Sequence, residues 1–306
     1  MSAMERTPRP NSVTVVGLGS IGGVVAGYLA KTGRHRVVAC VRKPIAELTL
    51  DRPDGTAKVP LYTLADPAKA EPAEWVLLCT KTHQTEATAP WLAQLCASNT
   101  KIAVLQNGVD HVARVAPLVN GATVVPVIVY YNGERIADDH MRLRQGAGQD
   151  LLVADDATGR AFAQLFDGTP LRVSLSDDFT TAAWRKLLIN IIASPITALT
   201  LQRQAVLRRP DVKSLCLELL AEAIAVARAE GAKLRPDEAD AALAMLFTFP
   251  PEAGTSMYFD RLAGRPLEYA ALNGAIVAAG KRHGIRTPIN RALLPLLHAI
   301  SDAAKA

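Results

Sequence analysis

The sequence predicts an α/β N-terminal Rossmann-like dinucleotide-binding domain over residues 1–177, followed by an all-α C-terminal domain over 178–306. Three observations carry this expectation. β-branched runs alternate with helical patterns through the first half. A Gly17-x-Gly19-x-x-Gly22 turn joins the first such run to the first helical pattern. Beyond residue 177 strand patterns nearly vanish, and prolines punctuate helical segments instead. A length of 306 residues suits two domains at roughly 100–200 residues each.

The opening run is Ser12-Val-Thr-Val-Val16, followed by the glycine turn and by Val24 to Ala30. Val13 to Ala30 carries no charge over 18 residues, a length that also suits a membrane span. Five glycines in that stretch, and β-branched residues ahead of the first of them, favour strand, turn and helix. In a dinucleotide site Gly17 would permit the tight turn, Gly19 would let a pyrophosphate approach the backbone, and Gly22 would let helix and strand pack closely. The helix start at Ser20 and Ile21 would turn its free N–H groups to the phosphate. Arg36 to Val41 then completes a βαβ unit. The twentieth residue after Gly22 is Arg42, followed by Lys43, where an NAD site usually has an acid. A solvated basic turn is the bland reading; a clamp for a 2′-phosphate, and hence NADP(H), is favoured.

Residues 46–73 read as short strands or loops without chemistry. Glu74 to Cys79 resembles a buried parallel strand, with Thr80-Lys81-Thr82-His83-Gln84 past its carboxyl end. That edge of an open α/β sheet is where ligands sit, so Lys81 is placed near the nicotinamide end, while His83 is an ordinary loop histidine. Lys101 to Leu105 is another strand, running into Gln106-Asn107-Gly108 at the same edge, although Asn-Gly is also a common turn pair. Thr123 to Tyr131 reads as one strand with Pro126 at an edge or bulge, and segments 150–154 and 171–175 as shorter strands around a helix from Ala157 to Phe166.

The second half opens with an acidic start at Ser176-Asp177-Asp178 and then a helix on which Lys186, Asn190 and Ser194 recur at intervals of four. A solvated stripe is the usual explanation of such a line. Here Leu187, Leu188, Ile189, Ile191 and Ile192 leave little face for water, so Lys186 is expected to look into a cleft. Pro195 is expected to break or kink this helix at Ser194. Further on, Ser256 near a helix start is either a cap or a ligand donor, and Arg265 to Gly274 is expected to start a helix at Pro266, with Glu268 in its first turn.

Composition narrows the function classes. With 49% hydrophobic and 21% charged residues the chain resembles an ordinary globule. The net charge of +5 is spread out, without a long basic run, which argues against nucleic acid and suits an anionic small ligand. Cysteines 40, 79, 96 and 216 form no metal-ligand spacing, so no metal is expected. The polar start, Met1 to Ser12, lacks an apolar export segment, from which no membrane association and a cytoplasmic location are expected.

Taken together, Gly17-x-Gly19-x-x-Gly22, Lys81 to Gln84, Gln106-Asn-Gly108, Trp184-x-Lys186-x-x-x-Asn190 and Ser256 with Glu268 twelve later resemble the ketopantoate reductases over nearly the whole chain. That resemblance implies reduction of 2-dehydropantoate to pantoate by NADPH in the pathway to pantothenate. It implies Lys186 as general acid, Asn190 and Ser256 as substrate contacts, and Glu268 against cofactor and substrate. Lys81, Gln84 and Asn107 would line the nicotinamide end, with Asn107 also near substrate. The family commonly has a second asparagine where this chain has Ser194, which leaves open a different oxo acid. A non-catalytic NADPH sensor also stays open, as does a homodimer.

Overall fold

The computed structural model describes residues 9–52, 55–146 and 148–304. By its internal contacts the chain divides into two compact units, 1–106 with 111–179, and 107–110 with 180–306. The short segment Asn107–Asp110 thus belongs with the second unit although the first surrounds it in sequence.

The first unit is built on a six-stranded sheet of β1 (Arg9–Val16), β2 (Arg36–Cys40), β5 (Tyr62–Leu64), β6 (Ala73–Leu78), β7 (Lys101–Val104) and β8 (Thr123–Pro126), in the order β5-β2-β1-β6-β7-β8. Every pairing in it is parallel. Both faces are covered. Val13, Val15, Trp75 and Leu77 enter one apolar core with Phe162, while Val16, Val76, Leu78 and Val104 enter another with Leu92 and Leu95. Burial on both sides is why these strands read as continuous apolar runs rather than alternations. Opposite partners such as Val16 with Cys40 and Leu78, and Leu78 with Val104, put the carboxyl ends level along one edge.

Helix α1 (Ser20–Thr32) follows β1. It packs under a second sheet made of β3 (Glu47–Arg52), β4 (Gly55–Pro60), β10 (Asn132–Ala137) and β11 (His140–Arg144), in the order β10-β11-β3-β4. The extra glycines of α1 are explained here: a Cβ at Gly23 would fall 2.6 Å from Met141, and one at Gly27 2.6 Å from Leu50. Helices α2 (Ala89–Leu95) and α3 (His111–Val115), and α4 (Ala157–Leu165) beside a small sheet of β9 (Ile128–Val129), β12 (Leu151–Ala154) and β13 (Val173–Ser176), complete the unit. The single strand expected over 123–131 is therefore two strands in different sheets. Pro126 closes the edge strand β8, and after Val127 the chain leaves to pair with β12.

The second unit is helical: α5 (Phe179–Thr200), α6 (Pro210–Ala229), α7 (Glu238–Leu246), α8 (Ser256–Leu262), α9 (Asn273–Arg282) and α10 (Pro288–Ala303). Two expectations are corrected. Helix α5 does not end at Ser194 but runs through Pro195 to Thr200. An interior proline costs about 3 kcal/mol, whereas Leu187, Leu188, Ile191, Ile192 and Ile196 are all buried and each such side chain stabilises by ~1.5–3 kcal/mol. Packing of these side chains favours one continuous helix despite the proline. The helix expected from Pro266 starts at Asn273 instead, after a stretch without regular structure and a 3-10 turn, Tyr269–Ala271. Among the described residues no helix is long and apolar enough to cross a membrane.

Candidate functional site

In the first unit the glycine turn lies at the carboxyl end of the central strand. Gly17 has φ +97°, a region that favours glycine, and a Cβ on it would meet Thr80 Cγ2 at 2.7 Å. A Cβ at Gly22 would fall 2.0 Å from the Gly17 carbonyl oxygen and 2.9 Å from Cys79 Cβ, so α1 and β1 approach as closely as they do only because that atom is missing. Gly19 is the opposite case: a Cβ there would meet no protein atom within 4 Å. Gly19 is also the residue that opens α1, with no side chain capping the helix. Ser20 and Ile21 follow, both half-buried, and the Tyr131 hydroxyl donates to the Ile21 carbonyl at 2.9 Å. The first turn of α1 is thereby held from behind.

Strands β2 and β6 flank β1, so the residues past their ends stand on either side of the glycine turn. Past β2, Arg42 and Lys43 are exposed. Past β6, Lys81 is half-buried ahead of the 3-10 turn Thr82–Gln84, and His83 and Gln84 are exposed. Buried Gln106 holds this loop in place: its Nε2 donates to the Thr80 carbonyl at 3.0 Å, to Thr80 Oγ1 at 3.1 Å and to Thr85 Oγ1 at 3.0 Å. Arg114 Nε donates to Gln106 Oε1 at 3.3 Å. The sequence offered Gln106 only as the neighbour of Asn-Gly; its role as the loop's anchor depends on partners 21 and 26 residues back.

In the second unit the polar line lies on α5. Lys186 and Asn190 are half-buried, and Ser194 is 4% exposed. Desolvation pushes the Lys186 ammonium below the ordinary lysine range, although part of the side chain still reaches solvent. The second unit also contains Asn107, whose Nδ2 donates to Glu268 Oε2 at 3.2 Å. The next residue, Gly108, has φ +106°, a region that favours glycine, and a Cβ there would meet the Ala271 carbonyl oxygen at 3.1 Å. Asn-Gly is a turn here, and the asparagine reaches a carboxylate as well.

Ser256 is the first residue of α8 and exposed. The cap is Thr255, whose Oγ1 accepts from the Tyr258 N–H at 3.1 Å, so the Ser256 hydroxyl is not used for capping. Thr255 and Thr197 hydroxyls lie 2.8 Å apart, and Arg261 Nη1 donates to the Ala198 and Leu199 carbonyls, the latter at 2.8 Å. These bonds tie α8, and Ser256 with it, to the last turns of α5. Neither Thr255 nor Arg261 carries a pattern that singles it out in the sequence.

Comparison with known proteins bears on both regions. A family model described as ketopantoate reductase PanE/ApbA matches residues 13–154, and its C-terminal counterpart matches 178–301. The 2-dehydropantoate 2-reductase of Mycobacterium tuberculosis is 40% identical over 95% of this chain and 98% of its own length. The chain belongs to the ketopantoate reductase family. It is thus an oxidoreductase acting on a CH–OH/C=O pair. A solved ketopantoate reductase of this PanE/ApbA family from Ralstonia eutropha superposes with a TM-score of 0.87 at 30% identity, covering 96% of this chain and all of that one. A dimeric ketopantoate reductase from Staphylococcus aureus gives 0.84 at 27% identity, covering 96% and 99%. For a ketopantoate reductase, the matched segments contain both the glycine turn and the Lys186 line.

Proposed function

We propose that this chain reduces 2-dehydropantoate to pantoate with NADPH, in the cytoplasm, as a step toward pantothenate. The observation that carries the proposal is the α5 line itself: a desolvated lysine one turn from an amide, in a chain 40% identical to a 2-dehydropantoate 2-reductase. A homodimer is proposed on the likeness to the dimeric S. aureus enzyme. The proposed division of labour follows residues 1–177 and 178–306, cofactor with the first and substrate with the second, Asn107 going with the substrate groups.

A dinucleotide fits the first unit on this chain's own geometry. Gly17 supplies the turn, Gly22 the close packing, and the open space over Gly19 admits a phosphate to uncapped N–H groups at Ser20 and Ile21. Arg42 would meet the 2′-phosphate; Lys81 and Gln84 would border the nicotinamide, with Asn107 and Glu268. Bound NADPH supplies the hydride. Reduction of a ketone leaves negative charge on its oxygen, and Lys186 donates the proton that neutralises it, which contributes roughly 10²–10⁴ in rate. Asn190 and Ser256 donate to the substrate's oxygens and orient the ketone, and Asn107 donates to Glu268.

A second reading, another 2-oxo acid as substrate, is favoured by Ser194, a short hydroxyl in a buried position. Both are tested by following NADPH absorbance with a panel of 2-oxo acids. 2-Dehydropantoate should be turned over with the highest kcat/KM; a higher value for another acid would replace the first reading with the second, and no turnover at all would remove both.

A further inference from the structure

Pro195 leaves one carbonyl of α5 without its ordinary partner. The N–H that should serve Ile191 belongs to residue 195, and proline has none. The substitute donor is Asn273, whose Nδ2 lies 3.1 Å from the Ile191 carbonyl oxygen. Its other amide proton goes to Asn290 Oδ1 at 3.0 Å. Asn290 donates in turn to the Leu219 carbonyl at 3.2 Å and to Glu222 Oε2 at 2.8 Å. Glu222 also accepts the N–H groups of Ile289 and Asn290, at 2.8 and 3.0 Å. Both asparagines are fully buried.

The acceptors decide which way each amide faces. The Leu219 carbonyl only accepts, so Asn290 turns Nδ2 toward it and toward Glu222, and Oδ1 toward Asn273. Asn273 then has to offer Nδ2 to that oxygen and to Ile191, and its own Oδ1 is left buried without a hydrogen-bond partner. An unmet buried acceptor is costly, and the reverse orientation would be worse, since it would set that oxygen against two others. The chain of bonds from Glu222 therefore ends, in one fixed orientation, on the peptide between Asn190 and Ser194. Asn273 also stands five residues after Glu268, with only the 3-10 turn Tyr269–Ala271 and Leu272 between them.

We propose that Asn273 is a positioning residue for the reduction: it replaces the donor that Pro195 removes and so holds the Asn190–Ser194 stretch of α5 in place. The proposal rests on the functional reading above. Its test is a cycle of Asn273→Ala, Pro195→Ala and the double variant. Pro195→Ala restores an N–H to the helix and should keep turnover near that of the unaltered chain. Asn273→Ala should lower kcat roughly 10–100-fold while the Kd for NADPH, read by nucleotide fluorescence, stays within about twofold, because the glycine turn is untouched. The double variant should regain most of the lost kcat, since the N–H at position 195 again serves Ile191. An unchanged kcat in Asn273→Ala, or a double variant no better than that single one, overturns the proposal. Should Asn273→Ala fail to fold, the double variant decides alone: folding with turnover supports the proposal, and failure to fold overturns it. If the unaltered chain reduces a different 2-oxo acid, only the substrate reading falls and the cycle is run on that acid; a chain that reduces none overturns both.

Discussion

In the first unit the groups proposed to meet the cofactor's phosphates are backbone, left open where Gly19 omits a side chain and shaped by the turn at Gly17 and the close packing at Gly22, and the loop beside them is set by the Gln106 amide. In the second unit the groups proposed to act are side chains, and the line of Lys186, Asn190 and Ser194 lies on one helix, α5. That helix is held in turn by side chains bonded to its carbonyls: Asn273 on Ile191, and Arg261 on Ala198 and Leu199. A backbone cradle is set by local conformation over six residues. A line of side chains keeps its aim only as well as its rod is fixed, and distant residues do the fixing. Binding and turnover should therefore be separable by mutation, binding failing with the first unit's glycines and turnover with the second unit's helix.

The largest effect is expected from Lys186→Ala, which should cost roughly 10²–10⁴ in kcat and leave NADPH binding intact; unchanged turnover would erase the contrast. In the unaltered enzyme an acid role requires the ammonium, so kcat should fall as pH rises through the pKa of Lys186. Because desolvation lowers that pKa, the fall should come below the ordinary lysine value of about 10.4, and Lys186→Ala should flatten it. Gly22→Ala should come next. Its Cβ collides with the Gly17 carbonyl and Cys79, and relief of such overpacking costs ~1–3 kcal/mol. NADPH affinity and Tm should drop together, with no selective loss of kcat at saturating cofactor. Arg42→Ala should have the smallest effect, raising KM for NADPH by about tenfold, the equivalent of one charge-assisted hydrogen bond. KM for NADH should hardly change, and an equal rise for both would remove the 2′-phosphate clamp.

Local rules make some of this molecule legible and not the rest. The six-stranded sheet shows in the sequence because its strands are buried on both faces, and the glycine turn because each glycine answers a requirement within a few residues. The line on α5 shows through its helical interval. The passage of α5 through Pro195 does not, since the donor that makes it tolerable is 82 residues away. The β10–β11 hairpin is invisible for a different reason: β10 is almost wholly exposed, so no apolar alternation marks it. Thr255 rather than Ser256 caps α8 because the chain is still extended at residue 255, with φ −89° and ψ 166°, a choice between adjacent hydroxyls that composition does not reveal.

The four residues Asn107–Asp110 carry a consequence for how the protein is made. Val109 packs into the apolar core of the helical unit, and Asn107 is bonded to Glu268, yet both are synthesised long before Thr180 opens the rest of that unit. The helical half is therefore completed by a fragment that emerges with the first half. The helical half is not a cassette: a gene cut at the apparent domain boundary would deliver a helical segment missing Val109 from its own interior and the Asn107 amide bonded to its buried Glu268 carboxylate.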